Sequence, residues 1–299
     1  MAPWEYSFIF REVAVKITEM CIDCLSSRVA LECTLANTDP QLMSETVAAC
    51  RGLLEQLRDA PLTHPQIASR VHLRAYELLN CQDPFADLKS DGNAESIRVC
   101  RNVRKNLRTL RDHVLAAVIG NTFDYGVKGH TVTDNFPDFF RREFARGLTI
   151  DDTDSIAPLC SRVVYLSDNC GEIVFDRLLI QYLKSQGSHI TLAVKSRPLL
   201  NDATLQDALM LGLDRIVDLL TTNGPDAEIG ITLDRVPDEL SEAISRCTLI
   251  IAKGMANFES LSEQTGLPPV AYLLAAKCRP IADEVGVPVG SKIALLQTQ

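Results

Sequence analysis

Residues 162–186 read RVVYLSDNCGEIVFDRLLIQYLKSQ. Arg162–Leu166 is short and β-branched, while the apolar residues beyond Gly171 recur with helical spacing. The stretch therefore predicts a strand, a tight turn and a helix. The same grammar repeats downstream. Strands are expected at Ile190–Lys195, Arg215–Leu220, Thr248–Lys253, Val270–Ala276 and Lys292–Leu296, with helices over 171–186, 202–212, 234–246 and 257–264. Strands alternating with helices imply right-handed crossovers and a mainly parallel sheet covered on both faces, a Rossmann-like three-layer α/β sandwich. Such sheets bind ligands outside the carboxyl ends of their strands, so the chemistry is sought in the residues that follow each strand.

Upstream, strand signals vanish. Val13–Ala36 is periodic, Asn37–Pro40 resets the chain, and a second helix runs to about Asp59. Pro61 and Pro65 bracket a start at Thr63 or His64, Asp83–Pro84 reads as an N-cap and first turn, and Arg98–Gly120 reads as one long helix with a buried end. Residues 1–147 are thus expected to form an all-helical domain and 148–299 the α/β metal- and phosphate-binding domain. Between them, IDDTDS (Ile150–Ser155) reads as a linker. Its Asp152-Thr153-Asp154-Ser155 imitates a phosphatase nucleophile motif but lacks the full apolar strand that motif needs.

The 299 residues carry 39 acidic and 30 basic side chains, a net charge of −9 that disfavours nucleic acid. The basic positions between Arg98 and Arg111 spread around a helix and read as a solvated face. No apolar run approaches a membrane span and no secretory signal opens the chain, so a cytoplasmic protein with reduced cysteines is expected. Neither a dinucleotide nor a P-loop glycine pattern occurs.

The expected strand ends carry Asp168-Asn169 with Glu172, Asp202, Lys253-Gly254 with Asn257, and Lys277. Two carboxylates and an amide oxygen make a hard-oxygen set suited to Mg²⁺ or Mn²⁺, with Co²⁺ and Ni²⁺ also acceptable, and nearby lysines suit phosphoryl oxygens. Each residue also has a plainer reading. Asn169 and Glu172 have capping-box spacing, Asp202 is an early-helix acid, and the lysines are solvated helix starts. Gly120-Asn121-Thr122-Phe123-Asp124-Tyr125-Gly126 is a polar turn after a buried helix, placing Asn121 and Asp124 either over the site or merely at a helix end. Cys21-x-x-Cys24 sits in helical context, which favours packing, with metal or redox use as alternatives.

The strings YLSDNCGEIVFDRLLI (165–180), RPLLNDAT (197–204), IIAKGMANFESL (250–261) and LLAAKCRPIADEVGV (273–287) resemble the damage-control phosphatase family, once catalogued as a domain of unknown function with a protein-glutamate methyltransferase-like label. MCIDCLSSRVAL (20–31), DPFADLK (83–89) and IGNTFDYGVKG (119–129) are similar to its stand-alone archaeal and bacterial branch. The resemblance implies that Asp168, Asn169 and Asp202 bind a divalent metal. It further implies that Lys253, Asn257 and Lys277 contact substrate or its phosphate. The eukaryotic branch has R-T-x-K where this chain has Leu274-Ala275-Ala276-Lys277. The implied activity is metal-dependent hydrolysis of small phosphorylated metabolites, sugar phosphates or damaged phosphometabolites, with Asp168 or Glu172 as proton acceptor and the N–H groups opening the 171–186 helix adding positive charge. An S-adenosylmethionine-dependent carboxyl methyltransferase and a non-catalytic phosphometabolite-binding protein are the alternatives. Oligomeric state is not legible in the sequence.

Overall fold

The computed structural model describes residues 18–122 and 136–298. Its strands are β1 (Ile150–Asp151), β2 (Arg162–Leu166), β3 (His189–Val194), β4 (Leu219–Thr222), β5 (Leu249–Lys253), β6 (Val270–Ala275) and β7 (Lys292–Gln297). They form one sheet in the order β1-β7-β6-β5-β2-β3-β4, parallel throughout except for the β6–β7 pair. The chain runs from β2 to β3 and β4 on one side, then returns to lay β5 and β6 on the other. β2 and β5 therefore flank the point where strand order reverses, and the crevice outside their carboxyl ends is where such sheets bind ligands. The register keeps those ends level, with Leu166 opposite both Ala193 and Ala252 and Lys253 opposite Leu273.

β2 shows why both faces are covered. Val163 and Tyr165 enter one core and Val164 and Leu166 the other, following the two-residue period of a strand. The first face packs against α4 (Ala86–Val103), α5 (Leu110–Gly120), α6 (Phe136–Arg146) and α8 (Glu172–Ser185). The second packs against α10 (Asp238–Arg246), α11 (Gly254–Leu261) and α12 (Arg279–Val285). A third core joins α1 (Glu19–Leu35), α2 (Pro40–Leu57) and α3 (His64–Leu79) to Leu199, Leu200, Ala227 and Ile229 in the loops after β3 and β4. There the Tyr76 hydroxyl accepts from the Leu200 N–H (2.9 Å) and Ser69 Oγ from the Ile229 N–H (2.8 Å). Val99, Leu115 and Ile119 thus share a core with the sheet, whereas α1–α3 cover the loops at its carboxyl edge.

Several expectations need correcting. Ile150-Asp151 is no linker: it pairs with Ile293-Ala294, and Asp152 accepts from the Leu296 N–H (2.8 Å), so the polar stretch finishes the sheet edge before α7 (Thr153–Ile156). The expected strand at 215–220 begins later, at Leu219, because Leu213–Arg215 forms a 3₁₀ turn that aims Ile216 and Val217 at the core. Helix α9 (Leu205–Met210) is shorter than the stretch expected at 202–212. The long helix at 98–120 is two helices. Thr109 and Asp112 form a capping box that starts α5 anew. Asp83 is not an N-cap; its carboxylate instead receives Lys89 Nζ at 3.2 Å. No described helix is long and apolar enough to cross a membrane.

Candidate active site

Strand β2 delivers Ser167–Glu172 to the crevice, and the loop after β3 meets it there. The Ala203 N–H donates to the Asp168 carbonyl and the Cys170 N–H to the Asn201 carbonyl, both at 2.8 Å. Asn169 and Asp202 form a bridge between them, so the three expected metal ligands are backbone neighbours. All three are at most 9% exposed.

Asn121, at the C-cap of α5, draws three segments together. Its Nδ2 donates to Asp168 Oδ2 (3.0 Å) and Glu172 Oε2 (2.7 Å), while its Oδ1 accepts from the Ala275 N–H (3.0 Å). Asn169 Nδ2 donates to the same Asp168 oxygen at 2.8 Å. On the other side, Gly254 turns the chain from β5 into α11 at φ +76°, and a Cβ there would stand 1.9 Å from Asp168 Oδ2. Only glycine supplies both the left-handed backbone and the room.

Behind this layer lies a charged network closed to solvent. Lys253 Nζ donates to Asp176 Oδ1 (2.6 Å), to the Ala117 carbonyl (3.2 Å) and to Glu172 Oε1. The Tyr165 hydroxyl donates to the same Asp176 oxygen at 2.7 Å. Burial pushes the Asp176 carboxyl up to about 7 against the pull of Lys253. Burial also disfavours the Lys253 charge, yet Asp176 and Glu172 outweigh it and hold the ammonium above the ordinary lysine range. Lys253, expected on the substrate phosphate, lies in this network. Its three donors are spent inside the protein, and it balances two carboxylates from beneath.

The other expected residues divide. Glu172 joins the cluster and also receives the Asn169 N–H at 3.5 Å, so the capping-box spacing is used within the site itself. Asn257 commits its Nδ2 to the Ser167 (3.2 Å) and Lys253 (2.8 Å) carbonyls, binding α11 to the β2 turn. Lys277 follows β6, half-buried, its N–H on Met255 Sδ at 3.4 Å. Asp124 lies outside the described residues. The N–H groups at the turn into α8 are engaged within the protein: Gly171 donates to Asn93 Oδ1 (2.6 Å), Cys170 to Asn201 and Asn169 to Glu172.

Three residues escaped the sequence reading. Asp176 stands one helical turn after Glu172, on the same face of α8, and i, i+4 spacing of carboxylates was the available signal. Lys195 closes β3 as Lys253 closes β5; its Nζ sits 3.5 Å from Asp202 Oδ2 and bonds the Gly230 carbonyl. Asn93 carried no local signal, because its role depends on where α4 docks.

Comparison with known proteins agrees along the length of the chain. The family model described as Damage-control phosphatase ARMT1-like domain matches residues 17–293. A curated damage-control phosphatase of Archaeoglobus fulgidus is 41% identical over 286 residues, covering 94% of this chain and 99% of that protein. One from Pyrococcus horikoshii is 28% identical over 288 residues, covering 94% and 98%. The crystal structure of a DUF89 family protein from P. horikoshii superposes with a TM-score of 0.85 at 26% identity, covering 94% of this chain and 99% of that one.

Proposed function

Since the chain belongs to the ARMT1-like damage-control phosphatase family, and is thereby a hydrolase of the phosphatase class, we propose that it hydrolyses small phosphorylated metabolites, sugar phosphates or damaged phosphometabolites, with a divalent metal held by Asp168, Asn169 and Asp202. The observation that carries the reading is the backbone pairing of the Asp168–Asn169 turn with Asp202 at the switch point of the sheet.

The residues fit such an ion. Two carboxylates and an amide form a hard-oxygen set that leaves positions for water and phosphate, as Mg²⁺, Mn²⁺, Co²⁺ or Ni²⁺ accept. Among the described residues no group of three or more His, Cys, Asp or Glu is set to hold a metal, and the set proposed here counts the Asn169 amide oxygen as its third donor. Gly254 keeps the space beside Asp168 Oδ2 clear of side chain. A bound divalent ion supplies Lewis-acid polarisation of phosphoryl oxygens and a more acidic water.

The chain's own part is positioning and charge, which dominate phosphoryl transfer. Asn121 fixes Asp168 and Glu172 against each other, and Lys253 keeps Glu172 in place with its Oε1 engaged. Glu172 Oε2 accepts from Asn121 and Asn169 beside Asp168, and the proton acceptor in this reading is Asp168 or Glu172. Lys277, half-buried at the adjoining strand end, is assigned to the substrate phosphate.

The test is phosphate release from a panel of sugar phosphates and other phosphomonoesters by metal-stripped protein, with each of the four ions added in turn. Activity should require added ion and vanish in Asp168→Ala and Asp202→Ala. Full turnover in excess chelator overturns the reading. Metal-dependent binding of a sugar phosphate without turnover would convert it to a binding protein.

A further inference from the structure

Away from the phosphatase site, a second chemical cluster forms where α1 meets α3 and α11. Cys21 is the third residue of α1, after the N-cap Thr18, whose hydroxyl lies 3.2 Å from the Cys21 sulfur. The His64 side chain, opening α3, lies within electrostatic reach of that sulfur, and its Nδ1 stands 3.2 Å from Glu259 Oε1 on α11. Thiol, imidazole and carboxylate are thus neighbours across three helices, a grouping that can activate a sulfur nucleophile. The charges also favour it: Cys21 lies in the first turn of a 17-residue helix, with His64 beside it.

We propose that Cys21 and Cys24 form a thiol–disulfide exchange site for a low-molecular-weight disulfide, with Cys21 as attacking sulfur, Cys24 as resolving sulfur, His64 as proton donor to the leaving thiolate and Glu259 as the residue that positions His64. The Cys21 thiolate attacks one sulfur of the disulfide RSSR, breaking its S–S bond and forming a mixed disulfide. The first RS⁻ leaves and is protonated from His64. The Cys24 sulfur then attacks the Cys21 sulfur and expels the second RS⁻, which takes up the proton lost by Cys24. The cysteine pair is oxidised by two electrons and RSSR is reduced to two RSH. Residues three apart on a helix have Cα atoms about 5 Å apart, inside the roughly 4.4–6.8 Å that a disulfide spans.

The other thiols make the contrast. The neighbouring His64, working against burial, lowers Cys21 to about 7. Burial pushes Cys50 up to about 12 and Cys160 and Cys247 up to about 11. An attacking thiol works best when its pKa lies near the ambient pH. Burial opposes a charge on His64, but the neighbouring Cys21 and Glu259 outweigh it and raise His64 to about 10. Cys278, next to Lys277, is within electrostatic reach of Cys21, Cys24 and Glu259 and is the competing partner.

The experiment treats the reduced full-length chain with oxidised glutathione and maps modified peptides by mass spectrometry across pH. Wild type should yield a Cys21–Cys24 disulfide, with a rate midpoint near pH 7. Cys24→Ser should trap glutathione on Cys21. His64→Gln and Glu259→Gln, checked as folded by circular dichroism, should move the midpoint toward the ordinary thiol value of 9.0. The proposal is overturned if Cys21 reacts no faster than Cys81, if Cys24→Ser captures no glutathione at Cys21, or if the midpoint stays put in both variants. A wild-type disulfide joining Cys21 to Cys278 also overturns it. Phosphatase activity plays no part in these readouts, so the outcome is independent of the function proposed above.

Discussion

Lys253 and Glu172, separated by 81 positions in sequence, form an ion pair in which neither side chain reaches solvent. Asp176 shares the same ammonium, so one cation serves two buried carboxylates. Deleting the cation would strand both of them in low dielectric, which typically costs about 3–5 kcal/mol. Lys253→Met should therefore lower the urea midpoint by that order and abolish phosphate release. Lys253→Met combined with Asp176→Asn should recover part of the stability but not the activity, because Glu172 remains unsupported. Equal stability of the single and double variants would show that the network is not shared.

The sheet was largely readable because β-branched runs and polar strand ends leave strong local marks, as Arg162–Glu172 does. The site was legible to the extent that its members follow strands: Asp168, Asn169, Glu172 and Asp202 were all marked this way. What could not be read is which way a strand-end lysine turns. Lys253 and Lys277 present the same pattern, yet burial of the first is decided by Asp176 and the Ala117 carbonyl on helices distant in sequence. The start of α5 was missed for a different reason. Its Thr109–Asp112 box is a clear signal, but continuous apolar periodicity on either side concealed it.

That box bears on the site because α5 ends at Asn121. The Asp112 carboxylate accepts from the Arg108 (2.8 Å) and Thr109 (2.9 Å) N–H groups. Although burial opposes ionisation, these bonds hold its pKa below the usual 3.8. A depressed pKa means that the contribution is fully present above pH 3.8 and is lost as pH falls through the lower folded value. Asp112→Ala should cost about 1 kcal/mol near pH 7, as lost caps do. The difference in urea midpoint from wild type should shrink as the pH is taken below 3.8, and a pH-independent difference would contradict the assignment.

Asn121 makes three hydrogen bonds with one side chain, joining α5 to the β2 turn and to the end of β6. Asn121→Leu keeps the volume and removes every bond, leaving buried carboxylate oxygens and a backbone N–H without that partner. The cost should be about 1–3 kcal/mol. Steady-state kinetics should show a fall in kcat of at least tenfold, since Asp168 and Glu172 lose their common donor. Unchanged kcat in the folded variant would remove Asn121 from the positioning machinery.

Gly254 offers the most local test of the crevice. Its φ of +76° already strains any residue with a side chain, and an alanine Cβ would lie 1.9 Å from Asp168 Oδ2 and 2.4 Å from its Cγ. Neither atom can retreat freely, because Asp168 is fixed by Asn121 and Asn169 and the Gly254 backbone follows directly on buried Lys253. Positive-φ strain alone is worth about 1–3 kcal/mol, so Gly254→Ala should lower thermal stability measurably. Its larger effect should fall on metal affinity, because the displaced group is an expected ligand. Titration with Mn²⁺ monitored by calorimetry should show at least tenfold weaker binding. By comparison, Gly52 has nothing within 4 Å of an added Cβ, and Gly52→Ala should leave the metal isotherm unchanged. If the two alanine variants bound Mn²⁺ equally, Asp168 would not be held against Gly254 as described, and its place in the metal set would fall with it.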